Sequence, residues 1–379
     1  MKKLSIQNIV VPIDFSERSI QAIETARRLA QRFSATIHLV HVHQFRYPDT
    51  FMGPVVSAAE LPDSFEEHRS TRLAEQLKAI AIKSELSPRD QTHLRMGAAA
   101  FDGICRVAKE IPADLIVMPT HGYTGLKHVF LGSTAERVVQ HSPCPVFVVR
   151  NKKRTSKTRP GLSISAVLVP VDFSDCSREG LEYAIGFASE FGAKIILLHS
   201  TYLGYNYPSE GNALYGVPAL QEAARENAER RMRKLLRAAK FGQVKFETVL
   251  TEASPVLDIG AFAKDHDVDL IITSTHGLTG FKHVLIGSIA EKVVRHAPCS
   301  VLVVPSHPRI RAANLVKTRS TKTRGLVSSL RRIRPVADQR QPRKSPRGKT
   351  FTKKDRKLAA HAFPERRKTN KFRESHLSR

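Results

Sequence analysis

The stretch THGYTGLKHVFLGSTAE, Thr120–Glu136, returns 155 residues later as THGLTGFKHVLIGSIAE, Thr275–Glu291. The match runs further on both sides. DLIVMPTHGYTGLKHVFLGSTAERVVQHSPCPVFVV (Asp114–Val149) aligns without a gap on DLIITSTHGLTGFKHVLIGSIAEKVVRHAPCSVLVV (Asp269–Val304), with 23 of 36 positions identical. The openings of the two halves agree as well: IVVPIDFS ends at Ser16 and VLVPVDFS at Ser174. One unit of about 145 residues therefore occurs twice. The polar, basic stretch Asn151–Ser165 between the copies reads as a linker.

Within each unit, short apolar runs alternate with amphipathic segments. In the first, NIVVPI reads as a buried strand, and SERSIQAIETARRLAQRF has apolar residues at helical spacing with Ser16 as N-cap. ATIHLVHV, QTHLRM, ADLIVM and CPVFVV follow as strands. SFEEHRSTRLAEQLKAIAIKSEL, FDGICRVAKEI and STAERVVQH lie between them as helices, and the second unit repeats the order. Strands alternating with helices imply right-handed βαβ units and a parallel sheet covered on both faces. Continuous apolar runs such as LIVM fit that burial.

Composition narrows the class. At 379 residues the chain has room for two to three domains of about 150 residues. It has no apolar run of about 18 residues, so a membrane-spanning helix is not expected. Gln7, Asn8 and Asp14 interrupt any signal-peptide core. Cys105, Cys144, Cys176 and Cys299 form no CxxC, which points to reduced thiols and a cytoplasmic protein. The net charge of +26 is uneven: residues 306–379 hold 24 Lys+Arg and 4 Asp+Glu, or +20, leaving +6 for the rest. That segment has too little apolar content to offset its ordering entropy and reads as a disordered basic tail, with RKLAAHAF as a transient helical turn at most.

The repeated loop leaves the carboxyl end of the fourth strand and enters the last helix. In open α/β sheets, ligands bind outside the carboxyl ends of strands where the order reverses. Asp14 and Asp172 close the first strand of each unit and should face the same crevice. Ser133 with Glu136, and Ser288 with Glu291, read as S-x-x-E capping boxes. Gly132 and Gly287 before them would admit an anion, above all a phosphate, to the helix start. Gly122 and Gly125, or Gly277 and Gly280, would fold the loop over it. Neither a P-loop nor a GxGxxG fingerprint is present. Two readings stay open: a phosphate-binding loop, or glycines that only turn the chain before a capped helix.

The motifs VVPIDFS, VLVPVDFS and the twofold THGxTGxKHVxxGSxAExVVxHxPC resemble the universal stress protein family in its tandem two-domain form, over about residues 4–305. The resemblance implies domains at 1–150 and 166–305, with residues 151–165 as linker and 306–379 as tail. It implies an α/β, Rossmann-like (adenine nucleotide alpha hydrolase-like) fold for each, a five-stranded parallel sheet of order 3-2-1-4-5, with units pairing through their last strands as an internal pseudo-dimer and open to homodimerisation. Members of the family that bind ATP do so through G-x2-G-x9-G-[ST], and other members do not bind it. Here Gly122, Gly132 and Ser133, and Gly277, Gly287 and Ser288, match that motif. The first glycine is replaced by Pro119 in one half and Ser274 in the other. Proline fixes φ and has no N–H; serine keeps the N–H, so the second half is favoured. Asp14 and Asp172 match the family's nucleoside-contacting aspartate, and Val42 and Ser200 the strand end beside the base. Pro12, Pro170, His121 and His276 complete the candidate set.

Other residues carry less. His141 and Cys144, like His296 and Cys299, are spaced H-x2-C, but a zinc site needs two further ligands that no spacing supplies. His128 and His283 read as loop packing. No catalytic residues are assigned: there is no GxSxG, and a dedicated enzyme is not implied beyond slow ATP hydrolysis. The tail should attract polyanions such as nucleic acid, and its three aromatics (Phe351, Phe363, Phe372) leave little base stacking. Three functions follow: a nucleotide-responsive stress module, a scaffold for protein partners without nucleotide, and a nucleic-acid-associated protein acting through its tail.

Overall fold

The computed structural model describes residues 4–44, 63–120, 131–150, 163–202, 217–275 and 287–306, all within one compact unit. Residues 151–162 of the linker and 307–379 of the tail, with the RKLAAHAF segment, lie outside the described residues.

The first half runs β1 (Asn8–Pro12), α1 (Glu17–Phe33), β2 (Thr36–Gln44), α2 (Asp63–Lys83), β3 (Gln91–Gly97), α3 (Ala100–Glu110), β4 (Leu115–Pro119), α4 (Ser133–His141) and β5 (Val146–Val149). The second half follows with β6 (Ala166–Pro170), α5 (Asp175–Phe191), β7 (Lys194–Ser200), α6 (Val217–Ala238), β8 (Phe246–Thr251), α7 (Pro255–Asp265), β9 (Leu270–Ser274), α8 (Ser288–His296) and β10 (Ser300–Val304). These strands form one sheet, in the order β3-β2-β1-β4-β5-β10-β9-β6-β7-β8. Each half thus has the expected order 3-2-1-4-5, with parallel neighbours throughout.

The central strands of each half are continuous apolar runs because both faces are covered. Ile9, Val10 and Val11 are each 0% exposed, as are Leu115, Ile116 and Val117. Alternation then divides them. Ile9, Val11, Leu115 and Val117 join the core under α1 and α5, while Val10 and Ile116 join the one under α3, α4, α7 and α8. Each large aliphatic side chain so buried contributes roughly 1.5–3 kcal/mol. Helix α1 presents Ala22, Ile23, Ala26, Leu29 and Ala30 to the sheet at i, i+3, i+4 spacing. Ser16 caps it as expected, accepting from the Ser19 N–H at 3.2 Å. An acid before the fourth strand clamps the start of the first: Asp114 Oδ2 accepts the N–H groups of Gln7 and Asn8, and Asp269 Oδ2 those of Ser165 and Ala166.

The halves meet where β5 and β10 pair antiparallel, with Val148 opposite Val301, Phe147 opposite Leu302 and Val146 opposite Val303. Both cores run across this join. Arg150 stitches it from the first half: its N–H donates to Ser300 Oγ at 3.1 Å, and its Nη2 to the carbonyls of Val294 and Arg295 at 3.2 and 2.9 Å, at the end of α8.

Candidate functional site

The carboxyl end of β1 is shaped by Pro12-Ile13-Asp14-Phe15-Ser16. The Ile13 N–H donates to the Val40 carbonyl at 2.8 Å, extending the sheet one step beyond Pro12. Phe15 then takes φ 63°, a left-handed conformation that a side chain rarely adopts. This reverses the chain, so that Asp14 Oδ1 accepts both the N–H (3.1 Å) and the hydroxyl (2.6 Å) of Ser16. The second half repeats the device. Phe173 has φ 63°, and Asp172 Oδ1 accepts from Ser174 N–H at 3.0 Å and Ser174 Oγ at 2.6 Å. Ser174 in turn caps α5 by accepting from the Ser177 N–H.

A histidine braces each turn from β2 or β7. His41 Nδ1 donates to the Ile13 carbonyl at 2.7 Å, and His199 Nδ1 to that of Val171 at 2.7 Å. Their rings lie 4.4 and 4.3 Å from those of Phe15 and Phe173. Burial lowers the pKa of both imidazoles; the carbonyl bonds and the nearby Asp14 and Asp172 oppose it in part, and Arg231 adds to the lowering at His199. Arg231, from α6, also stacks its guanidinium 4.7 Å above the Phe173 ring. These histidines lie outside the motifs of the repeated loop and strand ends. Their signal was their repetition at one register of the second strand, VHV at 40–42 and LHS at 198–200.

The repeated loop begins beside this turn, since β4 and β9 are the neighbours of β1 and β6. Its ends are closed by a backbone bond: Gly132 N–H donates to the Thr120 carbonyl at 2.8 Å, and Gly287 N–H to that of Thr275 at 2.6 Å. His121, Gly122, Gly125, His128 and their counterparts His276, Gly277, Gly280 and His283 lie outside the described residues.

The helix start differs from the sequence expectation. Gly132 (φ −62°, ψ 141°) and Gly287 (φ −69°, ψ 145°) are the N-caps, with no side-chain cap on either helix. Ser133 and Ser288 are the first helical residues, so the expected capping boxes do not form. The physical reason is twofold. Glycine supplies the extended N-cap, and Glu136 finds a bidentate partner elsewhere: Arg295 Nη2 lies 3.0 Å from each of its carboxylate oxygens. The consequence favours a ligand. The first N–H groups of a helix have no partner within it, and the N-cap glycine of each supplies no side-chain acceptor for them. Ser133 and Ser288 are exposed.

The remaining candidates divide. Pro12 and Pro170 end β1 and β6, opposite Val40 and Leu198, and Pro119 and Ser274 end β4 and β9, opposite Val149 and Val304. All stand with Asp14 or Asp172 at the carboxyl edge of the sheet. Val42 lies on the adjacent β2, but its side chain is 8% exposed and packs on Gly103 of α3, where an added Cβ would fall 2.8 Å from both its methyl carbons. Ser200 holds the ends of β7 and β8 together: its hydroxyl donates to the Ala253 carbonyl at 2.6 Å and accepts from the Tyr202 N–H at 3.2 Å.

The H-x2-C pairs serve other ends. His141 Nδ1 donates to the Arg137 carbonyl at 2.8 Å. Cys144 is buried beside Ser142, and burial pushes its thiol up to about 12. Among the described residues no three His, Cys, Asp or Glu side chains are grouped to hold a metal ion, and no helix is long and apolar enough to cross a membrane.

Residues 5–150 and 164–305 each match the universal stress protein family. A universal stress protein from Methanocaldococcus jannaschii is 34% identical over 142 residues, covering 36% of this chain and 80% of that protein. One from Thermus aquaticus is 34% identical over 146 residues, covering 38% of this chain and 98% of that protein. Among solved structures, a universal stress protein from Archaeoglobus fulgidus superposes with a TM-score of 0.50 at 18% identity, over 80% of this chain and 98% of that one. At that identity the likeness concerns the fold.

Proposed function

Because the chain belongs to the universal stress protein family, we propose that it is a nucleotide-binding module of the stress response, with ATP as ligand and no dedicated catalytic activity. The observation that carries this reading is the uncapped start of α8 beside the acid turn of β6, with its counterpart at α4 and β1. The N–H groups following Gly287, with the positive end of the helix dipole and the Ser288 hydroxyl, suit a phosphate. Asp172 would take a sugar hydroxyl, and the strand end at Ser200 would border the base; Pro12, Asp14, Val42, Gly132 and Ser133 would serve likewise in the first half, with His121, Gly122, His276 and Gly277 closing the loops. Ser274 keeps the N–H that Pro119 lacks, so the second half is the stronger site. The units so defined are 1–150 and 166–305, working in the cytoplasm, with the basic tail free to engage polyanions and the chain to pair as a homodimer.

The test is mass analysis of the small molecules released on denaturing the purified chain. An adenine nucleotide recovered from the native protein, and in lower yield from Ser288→Glu, supports the site. A scaffold acting without nucleotide predicts none in either.

A further inference from the structure

The partner that draws Glu136 away from its own helix start is a single arginine of the other half. Arg295, in the last turn of α8, binds both oxygens of Glu136 on α4 at 3.0 Å and reaches Glu291 on its own helix at 2.9 Å. The three side chains are only 28%, 25% and 33% exposed, so water screens them incompletely. Arg295 Nε is buried without a hydrogen-bond partner among the described residues, so the two carboxylates do not saturate the guanidinium. The arrangement is one-sided. The position equivalent to Arg295 in the first half is Gln140, and the position equivalent to Arg150 is Pro305. Both stitches across the join therefore converge on the end of α8.

Glu136 and Glu291 stand three residues beyond Ser133 and Ser288, about 4.5 Å along the helix axis. They are the acids nearest in sequence to the two helix starts. Two bare carboxylates there would oppose an incoming phosphate; one arginine between them lowers the opposing charge at both places. We propose that Arg295 is a shared positioning residue that sets the anion affinity of both helix starts, in the first half from across the join. This rests on the nucleotide reading above. It makes the two crevices electrostatically linked through one side chain, rather than two independent copies.

The experiment is ATP titration by calorimetry of the full chain, where the tail's own attraction for ATP is common to every variant. Arg295→Gln, which installs the residue already present at 140, should weaken ATP binding about three- to tenfold, the scale of one unit charge several ångströms from a phosphate in a largely aqueous field. Arg295→Lys should restore most of it. The combination Glu136→Gln, Glu291→Gln, Arg295→Gln should bind at least as tightly as the native chain, because the net charge of the cluster goes from −1 to 0. A stitch that is merely structural gives no such recovery. Should Arg295→Gln fail to fold, Glu136→Gln with Glu291→Gln keeps the arginine and should tighten binding over the same range. Unchanged affinity in either the arginine variant or the double glutamate variant overturns the linkage and leaves the nucleotide reading standing. Absence of ATP binding by the native chain overturns both.

Discussion

His199 Nδ1 donates to the carbonyl of Val171 at 2.7 Å, and this bond holds the residue just before Asp172 at the edge of the sheet. The ring of Phe173, in its left-handed conformation, lies against the same imidazole. The acid turn is therefore braced by a half-buried histidine whose burial disfavours its charged form. His199→Leu keeps the volume but leaves the Val171 carbonyl without its donor, at a cost of about 1–3 kcal/mol. The unfolding midpoint in denaturant measures it, and ATP affinity should fall as Asp172 loses its fixed position. A variant with unchanged midpoint and affinity would remove the histidine from the account.

Acid should destabilise the chain through these groups. His38, His41, His93 and His199 are all lowered from their ordinary 6.5, in each case first by burial. In the first half, Asn8 Oδ1, His38 Nε2, His38 Nδ1 and His93 Nε2 form a chain of contacts at 3.2 and 3.1 Å, and the His93 charge adds to the lowering at His38. A lowered folded-state pKa means that the unfolded chain takes up its protons first. The stability these groups contribute is complete above about pH 6.5 and is lost progressively as the pH falls below it. Unfolding free energies measured between pH 7.5 and 5 should show that slope, and His38→Asn with His93→Thr should flatten it.

Duplication and continuous apolar runs made a parallel sheet covered on both faces legible in each half of the sequence, while the order 3-2-1-4-5 came from the family resemblance. The sequence placed Asp14 and Asp172 at the crevice because the end of a parallel strand is a local feature. The helix starts at Ser133 and Ser288 were displaced by one residue. S-x-x-E is also what a glycine-capped helix leaves behind when its glutamate is engaged elsewhere, and that partner, Arg295, is 159 residues from Glu136. His41 and His199 are not legible there because their role lies in a contact with a neighbouring strand. Local spacing cannot show either contact.

The ends of α1 and α5 compare one residue in two chemistries. Ser34 and Gly192 both close their helices in the left-handed region, at φ 60° and 64°, each donating its N–H to the carbonyl four residues back. Ser34→Gly should stabilise the chain by about 0.5–1 kcal/mol, and Gly192→Ala should destabilise it by about 1 kcal/mol. No atom lies within 4 Å of a Cβ added at Gly192, so that cost is backbone alone. Thermal unfolding of the two variants should move in opposite directions.

Gly103 lets α3 close on Val42. A Cβ there would stand 2.8 Å from both methyl carbons of a β-branched side chain with little rotamer freedom. Gly103→Ala should cost about 1–3 kcal/mol as helix and strand move apart. Combining it with Val42→Ala should return most of the loss, which a double-mutant cycle reads directly.

The central claim is that the start of α8 holds the phosphates of ATP. Equilibrium dialysis of labelled ATP against the native chain and Ser288→Glu tests it most directly, since the substitution places a carboxylate at the helix start and leaves the basic tail untouched. Saturable binding at millimolar nucleotide or below that disappears from the second half in Ser288→Glu is the predicted result. Binding that is absent from the native chain, or identical in the two, contradicts the account.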